Sequence, residues 1–345
     1  MQNLIWIHYL RTIAMLMVIT LHSAAPLLYK FDNSVNSSWM TGNLYDSFVR
    51  PCVPIFFMIS GCLLLNKNET ITSFIKKRLN KIITPLVAWS VLYIIWKVNF
   101  EGAKFDPSQN IVEILFSPAY YHLWFIYSII GLYLAVPIIR PFTSSASNSS
   151  LLYFIIIWFA VVALLPWMQK VLGVRSRYEL NLFTGFLGYL VLGAYLGRLK
   201  YTRKHAILST FAIATSFLIT TYGTYHLSKF KGSLDATLYD YLAPTVIISA
   251  CAWMILIKYI ADDSAIKLPK ILTTLATSIS TLSFGIYLVH AMIITALKYG
   301  TFGFKMSALY GNSTYSIPLT ITSTLIISYI IIYVISKTPI LNRTI

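Results

Sequence analysis

The chain has 345 residues, of which 57% are hydrophobic and only 11% are charged. About a quarter of the residues in a soluble domain are charged, so this composition excludes an ordinary soluble protein and predicts a polytopic membrane protein. The formal net charge of +16 lies mainly in short stretches between apolar runs. Membrane topology explains charge in that position, and no other feature favours nucleic-acid binding.

The apolar runs predict an all-α polytopic fold with about ten transmembrane helices, because roughly 17 to 25 apolar residues cross a bilayer. The predicted spans cover residues 4–28, 48–66, 80–99, 120–140, 150–168, 182–199, 206–226, 240–261, 276–298 and 316–336. The connections are short. We therefore expect residues 1–345 to form a single membrane-embedded domain with no separate soluble domain.

Positively charged side chains predict the orientation of the spans, since Lys and Arg are enriched in cytoplasmic loops. The two densest clusters lie on the same side as both termini, which we therefore expect to be cytoplasmic. These clusters are Lys67, Lys76, Lys77, Arg78 and Lys81 after the second span, and Arg198, Lys200, Arg203 and Lys204 after the sixth. Arg175 and Arg177 run against this rule, either as solvated loop charges or as a site for an anionic partner.

The first span carries ionisable side chains in the stretch "IHYLRTIAMLMVITLHSAA". Arg11 and His22 are close to three helical turns apart, so they share one face at a separation of about 16 Å along the axis. His8 lies one turn from Arg11 on nearly the same face. A charge at the bilayer centre costs at least about 2.5 kcal/mol, and such residues usually line a site or a pathway. The pattern therefore favours a functional stripe.

Two further histidines are predicted at a similar depth to His22. His122 opens the fourth span in "YYHLWFIYS", and His290 lies well inside the ninth in "SFGIYLVHAMII". We hypothesise that the three histidines converge, although His122 could belong to an interfacial aromatic belt and His290 could bond a neighbouring helix. No pair has the spacing common in metal sites, and no carboxylate accompanies them, so we predict no metal site.

Five motifs in order along the chain carry a family resemblance. They are "RTIAMLMVITLH", "VPIFFMISGCLL", "FIKKRLNKIITPL", "HLWFIYSIIGLYLAVPII" and "SFGIYLVHAMII", spread between Trp6 and about Ile294. Together they resemble the acyltransferase 3 family of bacterial integral membrane acyltransferases, and within it the members that O-acetylate enterobacterial common antigen. The resemblance implies transfer of an acetyl group from acetyl-CoA to a hydroxyl of a cell-envelope glycan, in the bacterial inner membrane.

The resemblance also implies roles for particular residues. The family's motif of Arg, ten residues and His maps onto Arg11 and His22, and its basic motif before the third span maps onto Lys77, Arg78 and Lys81. We expect these three residues, with Lys76, to bind the phosphates of acetyl-CoA as a co-substrate rather than a resident cofactor. Lysine replaces some of the family's arginines here, which makes bidentate phosphate contacts less secure.

The expected chemistry is general base catalysis, with His22 taking the proton of the attacking hydroxyl. A nearby donor would stabilise the oxyanion, and His290, Tyr287, Ser60 and Arg11 are unranked candidates. His22, Arg11 and His290 are thus the candidate catalytic residues. The candidate substrate-binding residues are Ser60, His122, Trp124 and Tyr287.

Two other functions fit the same spans. One is a transporter or flippase of a lipid-linked sugar, although no paired broken helices favour it. The other is an accessory subunit, against which the Arg11–His22 stripe argues. The expected partners are acetyl-CoA, an envelope polysaccharide or polyprenyl-linked sugar and the lipid bilayer. The oligomeric state stays open.

Overall fold

The computed structural model describes residues 4–32, 37–108, 117–172, 185–262 and 268–345, and these contain helices but no strand. The helices in chain order are α1 (Ile5–Leu28), α2 (Ser37–Val49), α3 (Cys52–Leu64), α4 (Ile71–Phe100), α5 (Trp124–Ser145), α6 (Asn148–Phe159), a π-helical turn (Ala160–Leu164), α7 (Leu165–Leu172), α8 (Leu187–Arg198), α9 (Arg203–Lys231), α10 (Pro244–Asp262), α11 (Lys270–Tyr299) and α12 (Ser313–Lys337). Short 3-10 turns lie at Thr237–Tyr239 and Leu341–Thr344.

The polytopic all-α prediction is confirmed. Nine helical segments of the described chain are long and apolar enough to cross a membrane. The shorter α8 lies inside the remaining predicted span, whose first residues are outside the described part. Arg175 and Arg177 also lie outside it. The cytoplasmic placement of both termini stays a prediction.

The second span begins earlier than hydropathy predicts. It runs from Ser37 to Leu64 as α2 and α3, rather than from residue 48. Its added turns hold polar groups that pair with one another or with neighbouring helices. Arg50 donates from Nε to Asp46 Oδ2 at 2.6 Å, and Asn43 Nδ2 donates to the Thr221 carbonyl at 3.0 Å. Paired groups can lie at membrane depth, but they lower the hydropathy by which spans are recognised.

The third span also begins earlier, at Ile71 instead of residue 80. Thr70 caps it, since its side chain accepts a hydrogen bond from the Ser73 amide at 3.4 Å. Four residues of the basic cluster, Lys76, Lys77, Arg78 and Lys81, therefore lie on the first three turns of a helix and not in a loop, whereas Lys67 precedes it. Helical spacing gives each of its members a fixed direction, which separates the side chains that face the protein from those that face solvent.

Helix α1 is at the centre of the bundle and packs against α2, α3, α10, α11 and α12. It runs parallel to α11. Near the start of α1, Thr12 donates to the Ala276 carbonyl at 2.7 Å, and His8 Nδ1 lies 3.0 Å from Ser280 Oγ. Further along both helices, the ring centroids of His22 and His290 are 5.3 Å apart. The polar stripe of α1 therefore faces protein.

Two glycines allow α3 and α8 to approach closely. A Cβ at Gly61 would lie 1.9 Å from the Leu190 carbonyl oxygen, and a Cβ at Gly193 would lie 2.0 Å from that of Met58. Any larger residue would force the backbones apart. Small residues are the usual means of close helix approach in membranes. This contact fixes α3, which carries Phe56 and Ser60 toward the site.

Candidate active site

Three histidines from three parts of the chain meet inside the bundle. The ring centroids of His122 and His290 are 5.0 Å apart, and those of His22 and His290 are 5.3 Å apart. His122, just before α5, and His290 on α11 are both buried. The hypothesised convergence is therefore what the structure contains, whereas the chemical roles of these residues stay predictions.

The hydrogen bond of His290 fixes its tautomer. Its Nδ1 lies 2.6 Å from the Tyr287 carbonyl, which can only accept, so Nδ1 carries the proton and donates. In the neutral ring, Nε2 then presents a lone pair. This nitrogen is buried and has no hydrogen-bond partner within the described chain. Neutral His290 is thus an acceptor toward the cluster, so it cannot donate to an oxyanion from Nε2 as one of the sequence hypotheses requires.

His122 also has unpaired ring nitrogens. Both of its ring nitrogens are buried without a hydrogen bond to any described residue. The Leu288 carbonyl lies close to the His122 ring and accepts a 2.8 Å hydrogen bond from the Tyr93 hydroxyl. The aromatic rings of Tyr93 and Tyr287 enclose the imidazole at 5.1 and 5.2 Å. Buried polar groups are normally paired, so unpaired ones point to a missing ligand or to function.

A small cavity of about 20 Å³ opens beside His22 and His122. Trp124 and Tyr241 also line it, and their rings stack at 5.6 Å. The volume holds about one water molecule, which is less than an acyl group needs. We call this space the histidine cavity.

A larger cavity of about 340 Å³ lies toward the start of α1 and α4. We call it the basic cavity, because Arg11, Arg78 and Lys81 line it together with Ser60 and Tyr133. Arg11 makes no ion pair with a carboxylate of the described residues. A cavity with three cations and no lining carboxylate favours an anionic ligand.

Three aromatic side chains separate the two cavities. Phe56, Phe125 and Tyr287 line both of them, and we call these residues the aromatic partition. The Tyr287 hydroxyl donates to the His122 carbonyl, and the rings of Phe125 and Tyr287 lie 5.4 Å apart. The two cavities therefore follow one another along α1, with Arg11 in one and His22 in the other.

Some predicted residues lie apart from these cavities. Neither Lys76 nor Lys77 lines the basic cavity, and both are exposed on α4. Lys77 instead lies 3.4 Å from a carboxylate oxygen of Glu69. Ser60 and Trp124, both expected to bind substrate, line different cavities. Among the described side chains, no group of three His, Cys, Asp or Glu residues has a metal-binding arrangement.

Sequence reasoning missed two tyrosines of the site. The Tyr121 ring lies 5.0 Å from that of His22, and Tyr93 contacts His122. In the sequence, Tyr121 reads as a member of an interfacial aromatic belt, and nothing marks Tyr93 among the many aromatic residues of the chain. Only the packing of α4 beside α11 identifies it.

Comparison with known proteins assigns the chain to a family. The acyltransferase 3 profile, which describes an acyltransferase domain, matches residues 4–336 and thus nearly the whole chain. No curated protein and no solved structure matches it.

Proposed function

The chain belongs to the acyltransferase 3 family of membrane acyltransferases, and we propose that it is an O-acetyltransferase. In this proposal it moves an acetyl group from acetyl-CoA to a hydroxyl of an envelope glycan or lipid-linked sugar. The observation that carries it is the succession of a basic cavity and a histidine cavity along α1. One cavity suits a phosphorylated donor, and the other supplies a base where the acetyl group would arrive.

The donor occupies the basic cavity. Phosphate oxygens of CoA contact Arg78 and Lys81 near its mouth, because cationic donors form strong hydrogen bonds to phosphate. Arg11 lies deeper and holds a phosphate or a pantetheine carbonyl. Since Arg11 is about 16 Å from His22 along α1, one substrate oxygen cannot touch both, so Arg11 acts on the donor and not as the oxyanion donor.

His22 is the general base at the other end of the path. A sugar hydroxyl attacks a thioester poorly while it is protonated, and an imidazole within hydrogen-bond reach removes that proton. The hydroxyl oxygen bonds to the acetyl carbon, the C–S bond breaks, and the proton passes through His22 to the CoA thiolate. The unpaired nitrogens of His122 and His290 adjoin this point. His290 Nε2 and one nitrogen of His122 supply acceptors for the sugar hydroxyls, and the other nitrogen of His122 supplies a donor.

The aromatic partition has to move for the acetyl group to reach His22, since the histidine cavity holds only about one water molecule. Movement of Tyr287 would also release its hydroxyl from the His122 carbonyl. Ser60, by contrast, donates to the Phe56 carbonyl of its own helix at 3.0 Å. Tyr287 is therefore the better of these two hydroxyl candidates for the oxyanion donor.

The acceptor enters from the opposite end. A pocket of about 360 Å³ there is lined by Trp167, Lys170 and Asp240, a combination suited to stacking on a sugar ring and hydrogen bonding its hydroxyls. The residue after Asp240, Tyr241, lines the histidine cavity. With both termini cytoplasmic, this end is extracytoplasmic. The closer family resemblance makes enterobacterial common antigen the first acceptor to test.

The test is transfer of label from radioactive acetyl-CoA into the glycan and glycolipid fraction of membranes. We compare the wild type with His22→Ala at equal expression, and with His226→Ala, an exposed histidine at the end of α9, as the matched control. Label in the wild type and the control, but not in His22→Ala, is the expected result. Equal label in all three would support the acetyltransferase activity but contradict the assignment of His22 as the general base.

No label in any sample, with several envelope acceptors present, would contradict the acetyltransferase proposal. A transporter or flippase of a lipid-linked sugar would then be the next function to test. Its signature is movement of the sugar across vesicle membranes without acetyl-CoA.

A further inference from the structure

A buried arginine outside both cavities has an unused donor. Arg140 on α5 donates from Nε to the Leu64 carbonyl at 3.2 Å and from Nη1 to the Glu69 carbonyl at 3.0 Å. Its side chain is only 9% exposed. The remaining nitrogen, Nη2, is buried without a hydrogen-bond partner in the described chain and lies 4.0 Å from Glu69 Oε2. The two backbone contacts thus hold the guanidinium in place while Nη2 makes no hydrogen bond within the described chain.

Arg78 approaches the same point from α4. Its Nη2 lies 3.9 Å from Glu69 Oε2, and its Nε is buried without a partner among the described residues. The Phe74 ring supports both guanidinium groups, at 4.7 Å from Arg140 and 5.8 Å from Arg78. Lys77 Nζ completes the group at 3.4 Å from Glu69 Oε1. Three cations therefore surround a single carboxylate.

The carboxylate of Glu69 does not satisfy these donors. Separations of 3.9 and 4.0 Å exceed hydrogen-bond length, and Oε2 itself is buried without a partner in the described part. Partial burial would raise the pKa of the Glu69 carboxyl, but its Lys77 hydrogen bond and the charges of Lys77 and Arg78 hold the pKa below its usual range. Glu69 is thus an anion in a site whose guanidinium donors it fails to reach.

A phosphate group matches this site better than a carboxylate does. It carries more negative charge and more acceptor oxygens, and guanidinium groups bind its oxygens in bidentate fashion. Arg78 also lines the basic cavity, so this side chain connects a ligand in that cavity with the Glu69 carboxylate that Arg140 and Lys77 share. Glu69 lies in the segment between α3 and α4, where a side-chain rotation can move its carboxylate toward solvent.

We propose that Arg78, Arg140 and Lys77 form a phosphate subsite for the donor nucleotide, and that Glu69 occupies this subsite until the phosphate displaces it. The subsite rests on the proposed function only in naming acetyl-CoA as the phosphate carrier. It adds Arg140 as a binding residue and makes Glu69 a competitor of the donor.

The experiment measures CoA binding by isothermal titration calorimetry, and KM and kcat for acetyl-CoA, on the purified full chain in detergent. Arg140→Gln should weaken CoA binding about 10-fold or more, because it removes a charged hydrogen-bond donor. Arg140→Lys should recover only part of the lost CoA affinity, since lysine keeps the positive charge but cannot form the bidentate hydrogen bonds of a guanidinium. Glu69→Gln should bind CoA several-fold more tightly. In each case KM follows the binding constant and kcat changes little.

Two controls separate the subsite from general effects. Arg203→Gln removes one positive charge from the exposed start of α9 and should leave CoA binding unchanged. An equal loss in Arg203→Gln and Arg140→Gln would overturn the subsite in favour of diffuse surface charge. If Arg140 variants fail to fold, Glu69→Gln decides alone, and unchanged or weaker CoA binding in that variant would overturn the proposal.

Repeating the titrations with 3′-dephospho-CoA identifies the phosphate. A variant effect that disappears with this ligand assigns the 3′-phosphate, and one that persists assigns the diphosphate. The result also stands apart from the test of His22. Glycan labelling with a KM insensitive to Glu69 and Arg140 would reject the subsite alone. CoA binding that responds to both residues, without glycan labelling, would reject only the proposed acceptor chemistry.

Discussion

The close contact between α3 and α8 makes Gly61→Ala a strong test of how the fold positions the site. A Cβ at residue 61 would lie 1.9 Å from the Leu190 carbonyl oxygen. Because the obstructing atom belongs to the backbone, no side-chain rotation can relieve the clash. The two helices must instead separate by roughly 1 Å or more, and the reciprocal contact of Gly193 with Met58 loosens with them.

Overpacking of this kind costs about 1–3 kcal/mol, and we expect the upper part of that range because the contact is backbone to backbone. Helix α3 also carries Phe56 and Ser60 into the cavities. A displacement of about 1 Å at a reacting site can reduce turnover by about 100-fold. Gly61→Ala should therefore lower both thermal stability and kcat.

Two measurements test this prediction. Thermal unfolding of the detergent-solubilised protein is monitored by size-exclusion chromatography, and acetyl transfer is measured in membranes. Gly131→Ala is the matched control, because it makes the same substitution within α5 where a Cβ meets no atom of the described residues within 4 Å. The control should be unchanged or more stable by up to about 1 kcal/mol. A Gly61→Ala protein that melts with the wild type would refute the close approach.

Two other substitutions test buried polar contacts. Tyr287→Phe removes the donor to the buried His122 carbonyl, so it should cost about 1–3 kcal/mol of stability and lower kcat with little change in KM for acetyl-CoA; a normal kcat would show that the hydroxyl has only a structural role. Asp46→Asn leaves the Arg50 guanidinium without its carboxylate, which should cost about 3–5 kcal/mol in thermal unfolding. The double variant Asp46→Asn/Arg50→Met should recover part of that loss, and no recovery would contradict an unpaired charge as its cause.

Much of the fold could be predicted because the bilayer restricts which segments can cross it. A spanning helix must satisfy its own backbone and present apolar side chains to lipid, so long apolar runs identify the spans. The helical period then places Arg11 and His22 on one face, and the parallel packing of α1 beside α11 turns that face toward protein.

The starts of the second and third spans could not be predicted from hydropathy. Each polar residue lowers the mean hydropathy of its segment, whether or not its side chain is paired in the folded protein. Asp46 pairs with Arg50 four residues later and Asn43 with the Thr221 carbonyl of a distant helix. Pairing makes such groups tolerable at membrane depth. The second of these contacts links residues far apart in sequence, so no local pattern reveals it.

In the candidate site, too, contacts between residues far apart in sequence could not be predicted. The hypothesis that three histidines converge needs only their similar depth, which helix counting supplies. The contacts of Tyr121 with His22 and of Arg140 with Glu69 depend on how helices rotate against one another. Rotation is set by side-chain packing along the whole length of a helix pair. In the sequence, Arg140 is therefore one more basic residue near the end of a span.

The unpaired polar groups of the basic cavity differ in kind from those of the histidine cavity. Arg11 has no carboxylate among the described residues, and the nitrogens of His122 and His290 Nε2 have no partner there. Buried polar groups without a partner, such as these imidazole nitrogens, destabilise the folded protein unless a ligand completes them. The cationic donors lie at the basic end and the neutral imidazoles at the histidine end, with the aromatic partition between them. An anionic ligand satisfies the first set and a hydroxyl-bearing ligand the second, which is why the proposed acetyl transfer assigns its two substrates to opposite ends of α1.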